Sequence, residues 1–172
     1  DTGGSAIIFG GKTEVDIADE IYKKVIPGFR TPDSLQSLAG KTSLRELISL
    51  ISECDVFVTN DSGPMHIAYA VRTPLVAIFG STDPVLTGPP PGVDGNNYIV
   101  IKPDLSYSPC FERSCKTNDL RCMYAITSDE VYYDIKKILP NNPAVFFDRD
   151  GTLNRDKGYT NKYDALHIFE DI

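Results

Sequence analysis

The sequence predicts an α/β protein whose parallel sheet is covered by helices on both faces, and three observations carry that prediction. Strand-like and helix-periodic stretches alternate along most of the chain, the pattern of β–α units rather than of separate sheets and bundles. Each strand-like run is short and apolar, as expected where a sheet is buried on both faces. The 172 residues, 41% hydrophobic and 24% charged, suit one ordinary domain, or one domain plus a piece of another.

Taken in order, "SAIIFGG" (5–11) reads as a buried strand ending in a glycine turn. "TEVDIADEIYKKV" follows as a helix, with Val15, Ala18, Ile21, Tyr22 and Val25 at helical spacing and acids in its first turn. "KTSLRELISLISEC" is a second helix, because Ser43 can cap it and Glu46 stands three residues on, completing a capping box. "DVFVTN" and "TPLVAIFG" are strands on either side of a further helix, "IAYAVR", whose Ile67, Ala70 and Val71 suit the core. "NYIVIK" is another strand, and "SDEVYYDIKKIL" a last helix starting at Ser128 or Asp129. The Pro- and Gly-rich "STDPVLTGPPPGVDGNN" reads as loop, and "KPDLSYSPCFERSCKTNDLRCMYAI" carries no clear periodicity.

Composition narrows the function. A net charge of −7 argues against a nucleic-acid partner held by general electrostatics, though not against a nucleotide in a local pocket. No apolar run approaches the ~20 residues that span a bilayer, and no signal-peptide pattern opens the chain. The first residue is Asp, so the chain reads as a fragment or processed form. Cys110, Cys115 and Cys122 cluster while Cys54 stands alone, and the spacings do not match a C-x2-C zinc pattern. Reduced packing cysteines, a metal or cluster site and a disulfide all stay open for them.

The chemistry concentrates in "TNDSGPMH", Thr59 to His66, a polar turn between strand and helix. Helix-start N–H groups and the helix dipole point at whatever occupies such a turn. Pro64 suits the first helical turn, Gly63 admits a close ligand, and Asp61 and Ser62 can cap the helix or bind hydroxyls and phosphates. His66 lies on a different face from the core residues and can donate to an anion at the helix start. A capped helix with a surface histidine remains the alternative at this point.

Several separated motifs recur in order: "FGGKTE", "LAGKTSL", "NDSGPMHIAYA", "VAIFGSTDP", "TGP" and the cysteine stretch. Over roughly the first 140 residues the chain resembles the C-terminal domain of glycosyltransferase family 9, which contains the ADP-heptose:lipopolysaccharide heptosyltransferases. The cysteine stretch looks most like the heptosyltransferase II branch. The resemblance implies a Rossmann-like sheet, the C-terminal half of a GT-B glycosyltransferase, with the donor nucleotide sugar, ADP-heptose or a relative, bound by residues 1–140. It implies that Asp61, Ser62, Gly63 and His66 surround the donor diphosphate, Glu14 takes the ribose hydroxyls and Thr42 lies against the adenine. The acceptor would be the lipopolysaccharide core, the place cytoplasmic, peripheral at the inner face of the inner membrane. No metal is required for this transfer: helix-start amides and His66 would stabilise charge on the leaving diphosphate. In this family the acceptor-activating carboxylate and a phosphate-holding lysine belong to an N-terminal GT-B domain, expected before residue 1. The chain alone is therefore expected to be inactive in transfer.

Near the end, Pro140-Asn141-Asn142-Pro143 breaks the rhythm, and the chain divides as a domain at 1–140, a linker at 141–143 and a further segment at 144–172. "AVFFDRDGTLN" follows, an apolar strand over 144–147 running into Asp148, Asp150, Gly151 and Thr152. An aspartate at a strand end can attack phosphorus, and a second aspartate two residues on can act as acid and then base. The string resembles the first motif of haloacid-dehalogenase (HAD)-type phosphatases, and the tail resembles D-glycero-D-manno-heptose 1,7-bisphosphate phosphatases. That resemblance implies a truncated HAD-like segment with Asp148 and Asp150 catalytic and both serving a Mg2+ ion when the module is complete. The readings to be separated are thus a glycosyltransferase half, a nucleotide-binding module without catalysis, and a sugar-phosphate phosphatase.

Overall fold

The computed structural model describes residues 4–28, 34–91 and 97–139, together with the backbone of short strands at 145–148, 154–155 and 167–168. The order is β1 (Ala6–Phe9), a 3-10 turn (Lys12–Glu14), α1 (Val15–Val25), a second 3-10 turn (Ile26–Gly28), β2 (Leu35–Ser37), α2 (Leu44–Ser52), β3 (Val56–Asn60), α3 (Gly63–Ala70), β4 (Leu75–Ile78), α4 (Pro84–Thr87), β5 (Tyr98–Ile101), α5 (Arg121–Tyr124), α6 (Ser128–Ile138) and β6 (Val145–Asp148). Two further strands, β7 (Asn154–Arg155) and β8 (His167–Ile168), pair antiparallel apart from the main sheet. Among the described residues, no helix is long and apolar enough to cross a membrane.

The six main strands form one sheet in the order β2-β1-β6-β3-β4-β5, and every pairing in it is parallel. Both faces are covered, as the apolar strands require. Phe57, Leu75, Ala77 and Phe79 meet Ile51 of α2 and Met65 and Ala68 of α3 on one face. On the other, Val56, Val58, Val76 and Ile78 meet Ile135 and Ile138 of α6, and Ala6, Ile8 and Leu35 meet Ala18 and Ile21 of α1. Connections running toward β2 therefore cross one face and those running toward β5 the other, as a constant right-handed crossover demands.

Local chemistry explains the helix starts. Ser43 caps α2, and Glu46 Oε2 accepts from the Ser43 backbone N–H at 2.8 Å and from its hydroxyl at 2.7 Å. These same bonds hold the Glu46 carboxyl below its usual range, the backbone donor contributing most. Gly40 sits at φ +69°, and a Cβ there would lie 2.6 Å from Val15 Cγ2, so the turn after β2 needs glycine.

The structure departs from the sequence expectations in five places. The strand Leu35–Ser37 was not foreseen; it is too short and polar to show a period. The stretch read wholly as loop contains α4, a single turn capped by Asp83, whose carboxylate accepts from Val85 N–H at 3.0 Å. Thr127, rather than Ser128 or Asp129, caps α6, its hydroxyl accepting from the Glu130 N–H at 3.2 Å. On α3 the buried residues are Met65 and Ala68, while Ala70 is exposed and Ile67 and Val71 are only partly covered. Lastly, the strand after the linker is shifted by one residue, to Val145–Asp148, and β6 pairs with β1 and β3 at the centre of the main sheet. The linker at 141–143 and Asp150 lie outside the described residues.

Candidate functional site

Because all the main strands are parallel, the turns that follow them share one edge of the sheet. That edge carries Gly10, Gly11 and Glu14 after β1, Gly40 to Thr42 after β2, and Asp61 to His66 after β3. Chain direction across the sheet reverses between β1 and β3, so the crevice over β6 is the topological switch point, where open parallel sheets bind ligands. With strands ~4.8 Å apart, the β1 and β3 turns stand about 10 Å apart across it.

The β3 turn is built from within. Thr59 is fully buried and its hydroxyl lies 3.0 Å from the Ser62 hydroxyl. Ser62 is the N-cap of α3 but makes no side-chain cap bond; its hydroxyl lies against that of Thr59 instead. Amides in the first turn of a helix have no acceptor inside it, and here Pro64 contributes none. Gly63 and His66 are exposed, and Asp61 and Ser62 are half-buried. The Asp61 carboxylate accepts from the Thr87 hydroxyl at 2.8 Å, which ties the β3 turn to the end of α4.

The other predicted residues fall on the same edge with different local roles. Glu14 Oε2 accepts from the Gly11 N–H, so the side chain folds back over the glycine turn, while the Glu14 N–H donates to Gly11 O at 3.1 Å. Thr42 is half-buried in the turn that leads to the Ser43 cap. The Gly40 N–H donates to Gly10 O at 2.8 Å, which ties the β1 and β2 turns to each other. Asp148 ends β6 opposite Phe9, on the same edge. Asp150, its expected partner, lies outside the described residues.

Two residues join the site that sequence reasoning did not single out. Asn60, the last residue of β3, has a buried Oδ1 with no hydrogen-bond partner among the described residues. A buried acceptor left unmade costs about 1–3 kcal/mol, which a donor from a ligand or a water would recover. Its signal was present in "VTNDSG", one residue before the carboxylate. Thr87 is the other, and its signal was the "TGP" motif. Gly88 explains why that motif is spelled so: its N–H donates to Pro84 O at 2.9 Å, and a Cβ at this position would overlap the same carbonyl oxygen. We expect Gly88→Ala to displace the α4 turn and destabilise the fold by about 1–3 kcal/mol, read by urea unfolding. An unchanged midpoint would show that the turn gives way without cost.

Farther along the edge, beyond β4, lies a cavity of about 340 Å³ lined by Gly80, Ser81 and the segment 107–123, including Cys110, Cys115 and Cys122. It does not include Asp61 or His66. The three cysteines are free thiols, and among the described residues no group of three His, Cys, Asp or Glu side chains is arranged to hold a metal. Cys115 is held below the usual thiol range, chiefly by its hydrogen bond with Thr117, whereas burial pushes Cys122 up. Cys54 is also free but buried in the core, its thiol donating to Leu50 O at 3.0 Å.

With this geometry in place, the comparison with known proteins is direct. The model of glycosyltransferase family 9 (heptosyltransferase) matches residues 1–121. The chain belongs to glycosyltransferase family 9. Lipooligosaccharide heptosyltransferase 2 of Campylobacter jejuni serotype O:6 is 35% identical over 133 residues, covering 77% of this chain and 40% of the relative. Lipopolysaccharide heptosyltransferase 2 of Escherichia coli K12 is 36% identical over 91 residues, covering 52% of this chain and 25% of the relative. Among solved structures, that of E. coli ADP-heptose lps heptosyltransferase II superposes with a TM-score of 0.59 at 26% identity, over 78% of this chain and 36% of that one. The chain thus spans about 40% or less of the length of these relatives. Family membership accounts for the α/β architecture and for the motifs that flank the switch point.

Proposed function

We propose that residues 1–140 are the nucleotide-sugar-binding half of a heptosyltransferase, taking ADP-heptose as donor and serving transfer to the lipopolysaccharide core. The observation that carries this reading is the convergence of three motif turns, after β1, β2 and β3, on one sheet edge around the switch point. In this reading the α3 start meets the diphosphate. Helix-start amides, with Ser62, Gly63 and His66 beside them, offset negative charge as it develops on the leaving group. Asp61, held by Thr87, stands beside the diphosphate and accepts from donor hydroxyls. Glu14 beside the crevice and Thr42 one strand beyond it receive the ribose and adenine, and Asn60 offers its unpaired acceptor. The acceptor sugar and its activating base belong to an N-terminal GT-B domain, so transfer requires that domain at the inner face of the inner membrane. No metal is assigned to this transfer.

Calorimetric titration with ADP tests the binding half: saturable 1:1 binding is expected, and no heat with ADP at millimolar concentration would refute it. Joining residues 1–140 to an N-terminal half and assaying heptose transfer separates a transferase from a nucleotide-binding module without catalysis.

For the tail, we propose the start of a HAD-type sugar-phosphate phosphatase, on the strength of the Asp-Arg-Asp-Gly-Thr string at the end of an apolar strand. In a complete module Asp148 would be the phosphoryl acceptor and Asp150 the acid and base. A Mg2+ ion there would draw oxygen ligands from Asp148 and the Asp150 carbonyl and neutralise phosphate charge. Positioning several groups around one phosphate is the core of this chemistry, so residues 144–172 alone should not turn over. Hydrolysis of heptose bisphosphate by a chain carrying the complete module, abolished by Asp148→Asn, is the expected result. Turnover surviving in that variant would leave Asp148 as a turn residue.

A further inference from the structure

The cavity beyond β4 has no part in the donor site, yet it gathers three of the four cysteines of the chain. Its frame is fixed. The Ser108 hydroxyl donates to Gly80 O at 2.6 Å, and the Phe111 N–H donates to Ser81 O at 2.7 Å. Both bonds hold the segment against the end of β4, where a Cβ on Gly80 would overlap Met123 Sδ. Left-handed backbone is uncommon in residues other than glycine, and for a bulky residue it is an outlier. Among the described residues four such positions occur, and three lie here: Phe111, Asn118 and Leu120, at φ +56°, +55° and +47°. Strained loops of this kind, bent around an open space of about 340 Å³, gather at functional sites.

The thiols in the cavity are not equivalent. Cys122 is half-buried, and burial pushes its thiol up, with Cys110 and Cys115 adding to the effect. Cys110 is exposed. Cys115 has polar groups in reach: its sulfur lies 3.5 Å from Thr117 Oγ1 and 3.9 Å from Asp119 Oδ1. Thr117 Oγ1 in turn donates to Asp119 Oδ1 at 2.8 Å, and Arg121 Nε donates to the other carboxylate oxygen at 2.5 Å. As a thiol, Cys115 can donate into this chain. Once ionised it can only accept, and the Thr117 hydroxyl and the N–H groups of Leu120, Thr117 and Asp119 then favour the anion. Three cations line the cavity, Arg113, Lys116 and Arg121, against two carboxylates, Glu112 and Asp119. Lys116 pairs with Glu112 and Arg121 with Asp119, which leaves Arg113 without an ion pair among the described residues. A thiolate beside cations attacks disulfide sulfur, and the surplus positive charge favours partners that carry carboxylates.

We propose that this cavity is a thiol–disulfide exchange site, in which Cys115 takes up small carboxylate-bearing disulfides, of the glutathione kind, as mixed disulfides. The Cys115 sulfur attacks one sulfur of the incoming disulfide. A new S–S bond forms as the old one breaks, and the electron pair leaves on the departing thiolate. That thiolate takes up a proton, matching the one that Cys115 gave to solvent. One disulfide breaks and one forms, so no other oxidant is needed.

The test mixes the whole reduced chain with oxidised glutathione at neutral pH and locates early adducts by peptide mass mapping. One glutathione per chain is expected on Cys115, added several-fold faster than to any other cysteine or to the urea-unfolded chain. Cystamine, a disulfide with amines in place of carboxylates, should react more slowly, each rate being taken relative to the unfolded chain. Thr117→Val keeps the size of the side chain and removes its hydroxyl. In that variant Cys115 should react several-fold more slowly with iodoacetamide, with the midpoint of its pH profile moved up and the melting temperature unchanged. An adduct chiefly on another cysteine would overturn the proposal, as would a Cys115 no faster than in the unfolded chain. So would an unaltered pH profile in Thr117→Val, or cystamine reacting at least as fast as oxidised glutathione.

Discussion

Phe57→Ala should destabilise the fold by about 3–5 kcal/mol, the range for truncating a buried phenylalanine. Against a domain stability of roughly 5–15 kcal/mol, that is enough to leave much of the protein unfolded at 37 °C. The effect is large because the site cannot collapse. Phe57 is fully buried, its ring centroid lies 6.1 Å from that of Phe9, and its neighbours Leu75 and Phe146 are fixed by strand register. Above it, Ile51 of α2 and Met65 of α3 belong to the same cluster and rest on helices that pack against each other. Urea unfolding followed by circular dichroism measures the loss, with an unchanged slope showing that stability rather than compactness moved. Val85→Ala is the control: Val85 is 84% exposed, so its truncation should shift stability by no more than about 0.5 kcal/mol. A Phe57→Ala midpoint equal to that of the control would mean that the sheet does not pack as described.

His66→Ala should weaken ADP binding by about 1–3 kcal/mol, roughly 5- to 150-fold in affinity, while leaving the melting temperature in place. The side chain is exposed in the first turn of α3 and belongs to no core cluster, so its removal opens no cavity. What it removes is one donor next to the helix-start amides. Asp61→Ala should also weaken binding, by a different route. It frees Thr87, the partner of the carboxylate at 2.8 Å, and so loosens the β3 turn from α4. Thr87→Val should then reproduce part of the Asp61→Ala effect, which a purely local role for the carboxylate would not. Equal affinities for parent, His66→Ala and Asp61→Ala by calorimetry, with the fold intact, would place the nucleotide elsewhere on the edge.

Much of this was legible in the residues because the information is local. A period near 3.6 separates α1, α2 and α6 from the short apolar runs of β1, β3, β4 and β5, since burial of one face or both writes itself into the order of apolar residues. The Ser43–Glu46 box was readable because a cap and its reciprocal acceptor are always three residues apart. The turn from Asp61 to His66 announced itself in the same way, as a polar break between a strand and a helix.

What stayed hidden depends on residues far apart in the chain. Nothing near Asp61 marks Thr87 as its partner 26 positions later, and nothing near Gly88 tells that its missing Cβ makes room for the Pro84 carbonyl. The three-residue β2 lacks the length to show a period. The sequence by itself determined the order of the longer helices and the apolar strands, the parallel sheet, and the polar turn that follows β3. Only the tertiary structure decided that β6 lies between β1 and β3, and with it where the crevice falls. A strand's own residues encode that it is extended and apolar; its neighbours are chosen by backbone groups, which are the same in every strand.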